Sequence, residues 1–138
     1  MKKNSKYTYV HAPSVTAEEI KNLAYAGGLF DGEGCIVMGK TMKFNPVMKK
    51  YYNCTTIRME VCNTDFGLIH WLYDFFKEGH IIDLPPRKVK HGMSKPQKRW
   101  QLTHQQAYRV LKKLLPYMKE QNKIGKAKKV INYYEEKR

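Results

Sequence analysis

Two acidic residues, Asp31 and Glu33, stand two positions apart inside a glycine-rich stretch of a strongly basic chain. Thr16 followed by Glu19 is the pattern of a helix N-terminus, and it predicts a helix that runs through about residue 32. Both acids then fall at the helix C-terminus, where the helix dipole disfavours negative charge. A hard divalent cation would favour this placement, because such ions bind carboxylate oxygens and exposed backbone carbonyls. A solvated helix end without a ligand is the alternative.

Three glycines, at positions 27, 28 and 32, fall within the same predicted helix. Each costs about 1 kcal/mol relative to alanine in a helix interior, so we expect a compensating interaction. Gly28 and Gly32 lie one turn apart and leave one face clear for the close approach of another helix. The alternative is that the helix ends at Gly27 and that a glycine loop follows.

The next part of the chain predicts two strands and a helix. Residues 35–43 and 51–62 are typical of strands joined by a basic turn, and the second strand alternates between apolar and polar side chains. Asp65 can begin a helix over residues 66–77, and Gly79 would end it. One face of the sheet is thus expected to be covered and the other to be free.

The second half of the chain repeats the pattern of strands followed by helices without any sequence repeat. The resulting order is α-β-β-α-β-β-α-α, an α+β domain with helices on one face of an antiparallel sheet. The later elements are a third strand that starts at His80 and stops at Pro85-Pro86, a basic hairpin tip over residues 87–98, a fourth strand over 99–103, and helices over about 104–115 and 119–135.

The composition favours a nucleic-acid partner. Lys and Arg number 26 against 12 Asp and Glu, so the net charge is +14 over 138 residues. A positive excess of this size usually indicates that the protein binds a polyanion. No apolar run approaches the roughly 20 residues of a membrane-spanning helix, and the N-terminus lacks the apolar core of a signal peptide. We therefore expect a soluble, intracellular protein with no membrane partner. A loosely docked arm over residues 1–15 would precede a single domain over residues 16–138.

Residues 26–34 read AGGLFDGEG and resemble, in register, the nine-residue motif of the LAGLIDADG homing endonucleases. Ala26 replaces the first Leu of that motif, and Glu33 replaces its last acid. Downstream, residues 61–65 (VCNTD) resemble the start of the family's second helix, and residues 114–118 (LLPYM) resemble its turn into the closing helix. The resemblance spans residues 20–135, with all three segments in the family's order.

The resemblance implies a metal-dependent active site at the end of the motif helix. Glu33 and the backbone carbonyl of Gly32 are the implied ligands of Mg²⁺, or of another divalent cation such as Mn²⁺. Asp31 is implied to be a structural acid that ties the motif region together. Asn63 matches a water-positioning residue, so that Glu33 and Asn63 are the expected catalytic residues. The implied reaction is metal-assisted hydrolysis of a phosphodiester.

The resemblance also implies a homodimer with a saddle-shaped sheet. A single motif without a repeat corresponds to a two-fold symmetric dimer, a staggered double-strand break and a long pseudo-palindromic site. The motif helices would meet through their small residues, and the expected interface consists of Ala26, Gly28, Leu29 and Gly32.

Double-stranded DNA is the expected partner, bound on the sheet face that the helices leave free. Strand alternation directs Ile36, Met38, Ile57, Met59, Val61, Trp100 and Leu102 to the core. Arg would read guanine, Gln adenine and Glu cytosine, whereas lysines such as Lys123 and Lys126 on the last helix suit phosphates. The expected DNA contacts are Thr41, Lys43, Thr56, Arg58, Glu60, Lys98, Arg99, Gln101 and Lys126.

Two alternatives remain open at this point. The same fold without cleavage would make an intron-RNA maturase or a DNA-binding regulator, and intron RNA is therefore a further candidate partner. A basic adaptor protein without enzymatic activity is the second alternative. Metal-dependent nicking of DNA separates the endonuclease from both. An endonuclease of this type would lie with its DNA, in a bacterial or phage-host cytoplasm or in an organelle.

Overall fold

The computed structural model describes residues 15–137, so the arm expected over residues 1–15 lies outside the described residues except for Val15. The expected α+β fold with an antiparallel sheet is confirmed, and a short two-stranded ribbon is added to it. The elements in chain order are α1 (Ala17–Glu33), β1 (Gly34–Asn45), β2 (Lys50–Asn63), α2 (Phe66–Phe76), β3 (His80–Leu84), β4 (Lys88–Val89), β5 (Gly92–Met93), β6 (Gln97–Thr103), α3 (Gln105–Leu114), a 3₁₀ turn (Leu115–Tyr117) and α4 (Gln121–Glu136).

The main sheet has the strand order β1-β2-β6-β3, and every neighbouring pair is antiparallel. β1 and β2 form a long hairpin, and β1 is an edge strand. β4 and β5 pair only with each other, within the segment expected to be a hairpin tip. Because this ribbon closes early, β6 begins at Gln97, two residues before the expected Arg99. Lys98 therefore lies within β6 and not in the loop before it.

Helix α1 begins as the sequence predicts. The Thr16 hydroxyl accepts a hydrogen bond from the Glu19 backbone N–H at 3.0 Å, and the Glu19 carboxylate accepts one from the Thr16 backbone N–H at 3.4 Å. The helix then continues through all three glycines to Glu33. The alternative of a glycine loop after Gly27 is therefore wrong.

Helix α2 ends differently from the prediction. It stops at Phe76, and Lys77 adopts the left-handed conformation, with φ 55°, while its backbone N–H donates to the Tyr73 carbonyl at 2.7 Å. Gly79, which was expected to end the helix, instead allows the chain to pack closely against β6. With φ 85° it passes β6 so closely that an added Cβ would lie 2.6 Å from the Gln101 carbonyl oxygen.

The core lies between the helices and one face of the sheet. All side chains that strand alternation directed inward are buried except Met38, which is 39% exposed. Met38 does lie on the inner face, opposite Ile57. It is exposed because β1 is the edge strand and because an open cleft separates this part of it from Tyr133 on α4 and from Lys137 directly after that helix. Within residues 15–137, the helices are all too short or too polar to cross a membrane.

Gly27 allows the closest approach between α1 and the turn that precedes α4. An added Cβ at Gly27 would lie 2.7 Å from both the Cβ and the carbonyl oxygen of Tyr117. The close packing of Gly27 on Tyr117 is thus one interaction, within the chain itself, that compensates for the low helix propensity of the motif glycines. Gly28 and Gly32, by contrast, have open space where a Cβ would be added.

We predict that Gly27→Ala lowers the free energy of unfolding by about 1–3 kcal/mol, because the added methyl meets the Tyr117 backbone. Gly125→Ala is the matched control, since Gly125 lies inside α4 with open space around it. The control should raise the free energy by about 1 kcal/mol through helix propensity. Urea denaturation at one protein concentration, followed by tryptophan fluorescence, measures both. Equal gains in the two variants would contradict the close packing at Gly27.

Candidate active site and nucleic-acid surface

The Glu33 carboxylate lies at the junction of α1 and β1. Glu33 is the last residue of α1 and is exposed, and Gly34 follows as the first residue of β1. Because Gly34 pairs with Val61, the helix end lies beside the end of β2. No hydrogen bond or ion pair with any of residues 15–137 engages the Glu33 carboxylate. A free acid thus stands at the negative end of a helix dipole.

Asp31, two residues earlier, is fully engaged within the chain. Its two carboxylate oxygens accept hydrogen bonds from the backbone N–H groups of Lys119, at 2.8 Å, and Glu120, at 3.2 Å. These N–H groups immediately precede α4, where backbone donors have no partner within the helix. Asp31 therefore joins the end of α1 to the beginning of α4, and the two motif acids have different surroundings.

Lys123 makes the opposite connection between the same two helices. Its ammonium group donates to the backbone carbonyls of Phe30, at 3.3 Å, and Asp31, at 2.5 Å. A cation on the last carbonyls of a helix offsets the negative end of its dipole. Asp31 and Lys123 together form what we call the helix clamp. Sequence reasoning assigned Lys123 to DNA phosphates and missed this contact, because nothing local to residue 123 identifies its partner some 90 residues away.

The small residues of α1 divide between two faces. Ala26 is 1% exposed and belongs to the core of its own chain, so the expectation that it contacts a second copy is wrong. Leu29 is half-buried and packs against the same core. Gly28 and Gly32 are exposed, which leaves a smooth strip on the outer face of the helix. The helix turns Ala26 inward because position 26 lies half a turn from position 28.

Gly34 is required where the chain passes from helix to strand. A Cβ added there would be much closer to the Phe30 ring atoms than van der Waals contact allows. That ring is 1% exposed and covers the junction. The last glycine of the motif therefore lets β1 leave the helix at once, directly after Glu33.

Asn63 contributes to the turn that follows β2. Its side-chain oxygen accepts a hydrogen bond from the Asp65 backbone N–H at 2.8 Å, and the Asp65 carboxylate accepts one from Leu68 at 3.2 Å to begin α2. Asn63 lies at the end of β2 that is next to Glu33. The side-chain oxygen of Asn63 is thus used in the local fold. Its side-chain nitrogen is left for contact with a ligand.

The metal-binding side chains of residues 15–137 are dispersed over the fold. Within the described residues, His, Cys, Asp and Glu do not come together in any group of three or more. The oxygen donors at the end of α1 are the Glu33 carboxylate and the backbone carbonyls of the last turn, of which Lys123 takes two. Hard oxygen donors of this kind suit Mg²⁺ better than a nitrogen- or sulfur-binding metal.

The outer face of the sheet carries the polar side chains assigned to DNA. Register places Thr41 opposite Cys54 and Lys43 opposite Tyr52, on the face away from the helices. The outward residues from Thr56 to Glu60 and from Arg99 to Gln101 are partly exposed, whereas the inward residues that alternate with them, Ile57, Met59, Val61, Trp100 and Leu102, are buried. The residues that share this face are Thr41, Lys43, Thr56, Arg58, Glu60, Arg99 and Gln101.

Arg58, Glu60 and Arg99 form an ionic cluster on that face. Glu60 accepts from the Arg58 Nε at 2.9 Å and lies 3.4 Å from the Arg99 Nε. The Arg99 Nε also donates to the Cys62 sulfur at 3.4 Å. The contact with Cys62 and the charge of Glu60 hold the pKa of Arg99 above its ordinary value, although partial burial opposes this. Sequence alternation predicts the shared face but does not predict these contacts.

Lys98 lies on the opposite face of the sheet from these residues, and its contact with DNA stays a prediction. Its ammonium group is 3.2 Å from the His70 Nε2, 3.4 Å from the Asp83 carboxylate and above the ring of Phe66. The prediction treated Lys98 as part of a loop. Because β6 begins at Gln97, Lys98 follows the strand alternation and faces the helix layer opposite Asn63.

Lys126 projects from α4 beside the edge strand. It is exposed and lines a cleft with Lys129 and the first residues of β1, from Cys35 to Met38. Two lysines thus flank the strand that leads away from Glu33. A phosphate backbone that followed this edge would meet positive charge on its way to the carboxylate.

Similar folds are found among solved structures. The homing endonuclease I-CvuI bound to the I-CreI target with 2 mM Mg, described as DNA not cleaved, superposes with a TM-score of 0.63 and 19% identity over 85% of this chain and 68% of that chain. I-CvuI bound to its own target with 2 mM Ca gives a TM-score of 0.64 at the same identity and coverage. No protein-family model and no curated protein sequence matches the chain.

The chain therefore has the fold of the homing endonucleases. More particularly, it has the fold of I-CvuI, so the homing-endonuclease fold that the resemblance implies is confirmed.

We predict that Asp31→Asn lowers the free energy of unfolding by about 0.5–2 kcal/mol, the range found when helix N-terminal caps are removed. The two N–H groups bond to different oxygens of Asp31, and asparagine replaces one of these oxygens with an NH2 group, which cannot accept a hydrogen bond. Asp74→Asn, the same change at an exposed acid of α2, should stay within about 0.5 kcal/mol of the parent. Urea denaturation at fixed protein concentration compares them. Equal effects would contradict the helix clamp.

Proposed function

We propose that this chain is a single-motif LAGLIDADG homing endonuclease, which cuts both strands of a long DNA site as a homodimer. The observation that carries the proposal is the free Glu33 carboxylate at the clamped end of α1. It lies at the edge of a sheet whose outer face bears arginine, lysine and glutamine. The structure-based likeness to DNA-bound homing endonucleases supports the DNA partner, and the net charge of +14 supports it independently.

Mg²⁺, or Mn²⁺ in its place, is the proposed cofactor. Glu33 and the Gly32 carbonyl would hold it, because both belong to the last turn of α1 and neither is an oxygen that Lys123 takes. When bound, the metal would activate water and stabilise charge on the phosphodiester oxygens. The clamp fixes the position of the helix end without using Glu33, so that the carboxylate remains available.

The residues of the chain would orient the reactants around the scissile phosphate. Glu33 contributes the negative charge, and Asn63 offers its amide nitrogen to a water molecule or a phosphate oxygen. Hydrolysis forms a bond between the water oxygen and phosphorus and breaks one P–O bond of the backbone. Lys126 would hold a neighbouring phosphate, because it lies along the edge of β1.

The proposed dimer interface is the outer face of α1 around Gly28 and Gly32. Both glycines are exposed and free of contacts in the single chain, and Leu29 adds apolar surface beside them. Two such helices could approach closely, which would bring two Glu33 carboxylates near one axis. Each carboxylate would then serve one DNA strand, and this arrangement accounts for a double-strand break by a chain with one motif.

We predict that Glu33→Gln abolishes cutting and leaves DNA affinity largely unchanged. Glutamine preserves the size and removes the negative charge on which the proposed metal site depends. Glu18→Gln, an exposed acid at the other end of α1, should cut as the parent does. Plasmid cleavage with Mg²⁺ and gel-shift affinity in the same buffer test this. Substantial cutting by Glu33→Gln would disprove the site, whereas a parent that binds DNA but never nicks it would indicate a regulator.

We predict that Gly28→Leu converts the dimer to a monomer and prevents double-strand cutting. A Cβ at position 28 meets no atom of the single chain within 4 Å and points outward, so the fold of each chain should persist, but the leucine would separate the two α1 helices. Gly125→Leu makes the same change on α4 and should remain dimeric. Light scattering gives the mass of each variant, and a supercoiled plasmid reports the cutting. A dimeric Gly28→Leu protein that still linearises plasmid would place the interface elsewhere.

A further inference from the structure

Glu60 lies beneath the two arginines that it contacts. Its side chain is 15% exposed, whereas those of Arg58 and Arg99 are 39% and 31% exposed. Each carboxylate oxygen has its own arginine, Oε1 with Arg58 and Oε2 with Arg99. A cytosine approaching the sheet would have to displace a guanidinium to reach the carboxylate. The arrangement therefore disfavours the direct reading of cytosine that sequence reasoning assigned to Glu60.

Both arginines meet Glu60 through the Nε atom, at the inner end of the guanidinium. The outer Nη groups of Arg58 and Arg99 make no hydrogen bond to any of residues 15–137. A guanidinium has five N–H donors in a rigid fork, and one donor in each is occupied here. The two Nη groups are those that can bond together to O6 and N7 of guanine in the major groove.

We propose that Glu60 is a positioning residue, which orients Arg58 and Arg99 so that each reads a guanine. The inference rests on the proposed function. It adds that guanine is the base recognised and that Glu60, by orienting the two arginines, sets this preference. The carboxylate fixes two long side chains in advance, and less rotational freedom is lost when they meet DNA. The Cys62 sulfur accepts a hydrogen bond from the same Nε of Arg99 and adds a second contact that holds this side chain.

The register sets the distance between the two bases. Arg99 lies opposite Cys62, four residues from Arg58 along the same strand direction, or about 13 Å at the rise of a β-strand. DNA rises about 3.4 Å for each base pair. Since both side chains lean toward Glu60, the two guanines should lie within about four base pairs of each other in each half of the site.

The test is binding-site selection from randomised duplex DNA in EDTA, so that cleavage plays no part. In Glu60→Gln, both arginines lose their carboxylate, and the preference for guanine should fall about 5- to 150-fold at one or two positions. Arg58→Lys with Arg99→Lys keeps the charge and removes the fork, and should lose the same positions. Glu18→Gln serves as the control and should select the parent's sequences.

A double-mutant comparison separates positioning from direct reading. If Glu60 acts through the arginines, then adding Glu60→Gln to Arg58→Ala/Arg99→Ala changes the base preferences no further. A further loss at a cytosine in that background would overturn the inference and restore Glu60 as a base-reading residue. Unchanged preferences in Glu60→Gln would also overturn it while leaving the proposed endonuclease intact. A parent protein that selects no sequence at all would overturn both.

Discussion

The reciprocal connection between the end of α1 and the beginning of α4 determines where every other functional feature can lie. Asp31 accepts from the backbone before α4, and Lys123 donates to the backbone at the end of α1. Asp31 satisfies N–H groups that α4 leaves unpaired, and Lys123 places a positive charge on the last carbonyls of α1, so the two helix ends are held together. Glu33, the start of β1 and the open face around Gly28 are all held relative to this junction.

The glycines of the motif fall into two groups: two are required for packing within the chain, and two leave an open outer face on α1. Gly27 and Gly34 are needed inside the chain, where the Tyr117 backbone and the Phe30 ring leave no space for a Cβ. Gly28 and Gly32 face outward with nothing near them, so the single chain alone gives no reason for them. Their cost in helix propensity is explained if a second copy lies against that face.

Local patterns predicted the elements, and long-range contacts account for most of the differences. The capping box at Thr16 and the alternation in β2 depend on neighbouring residues and could be recognised from the sequence. The placement of Lys98 in a loop was wrong, because the first residue of β6 depends on where the β4–β5 ribbon closes. The partners of Lys123 and the contact of Glu60 with Arg99 lie on other elements, and no spacing within the sequence indicates them. Ala26 was misplaced because the motif alone does not say which face of α1 is covered.

The separation in sequence of the clamp's two halves affects how the protein can be made. Asp31 and its backbone partners are 88 and 89 residues apart. At about 5–20 residues per second, a ribosome needs roughly 5–20 s to synthesise that interval. During this time the motif has been translated but the residues that hold its end have not. A nascent chain therefore cannot form the helix clamp until residue 123 has been synthesised, and until then the end of α1 lacks the contacts that hold it.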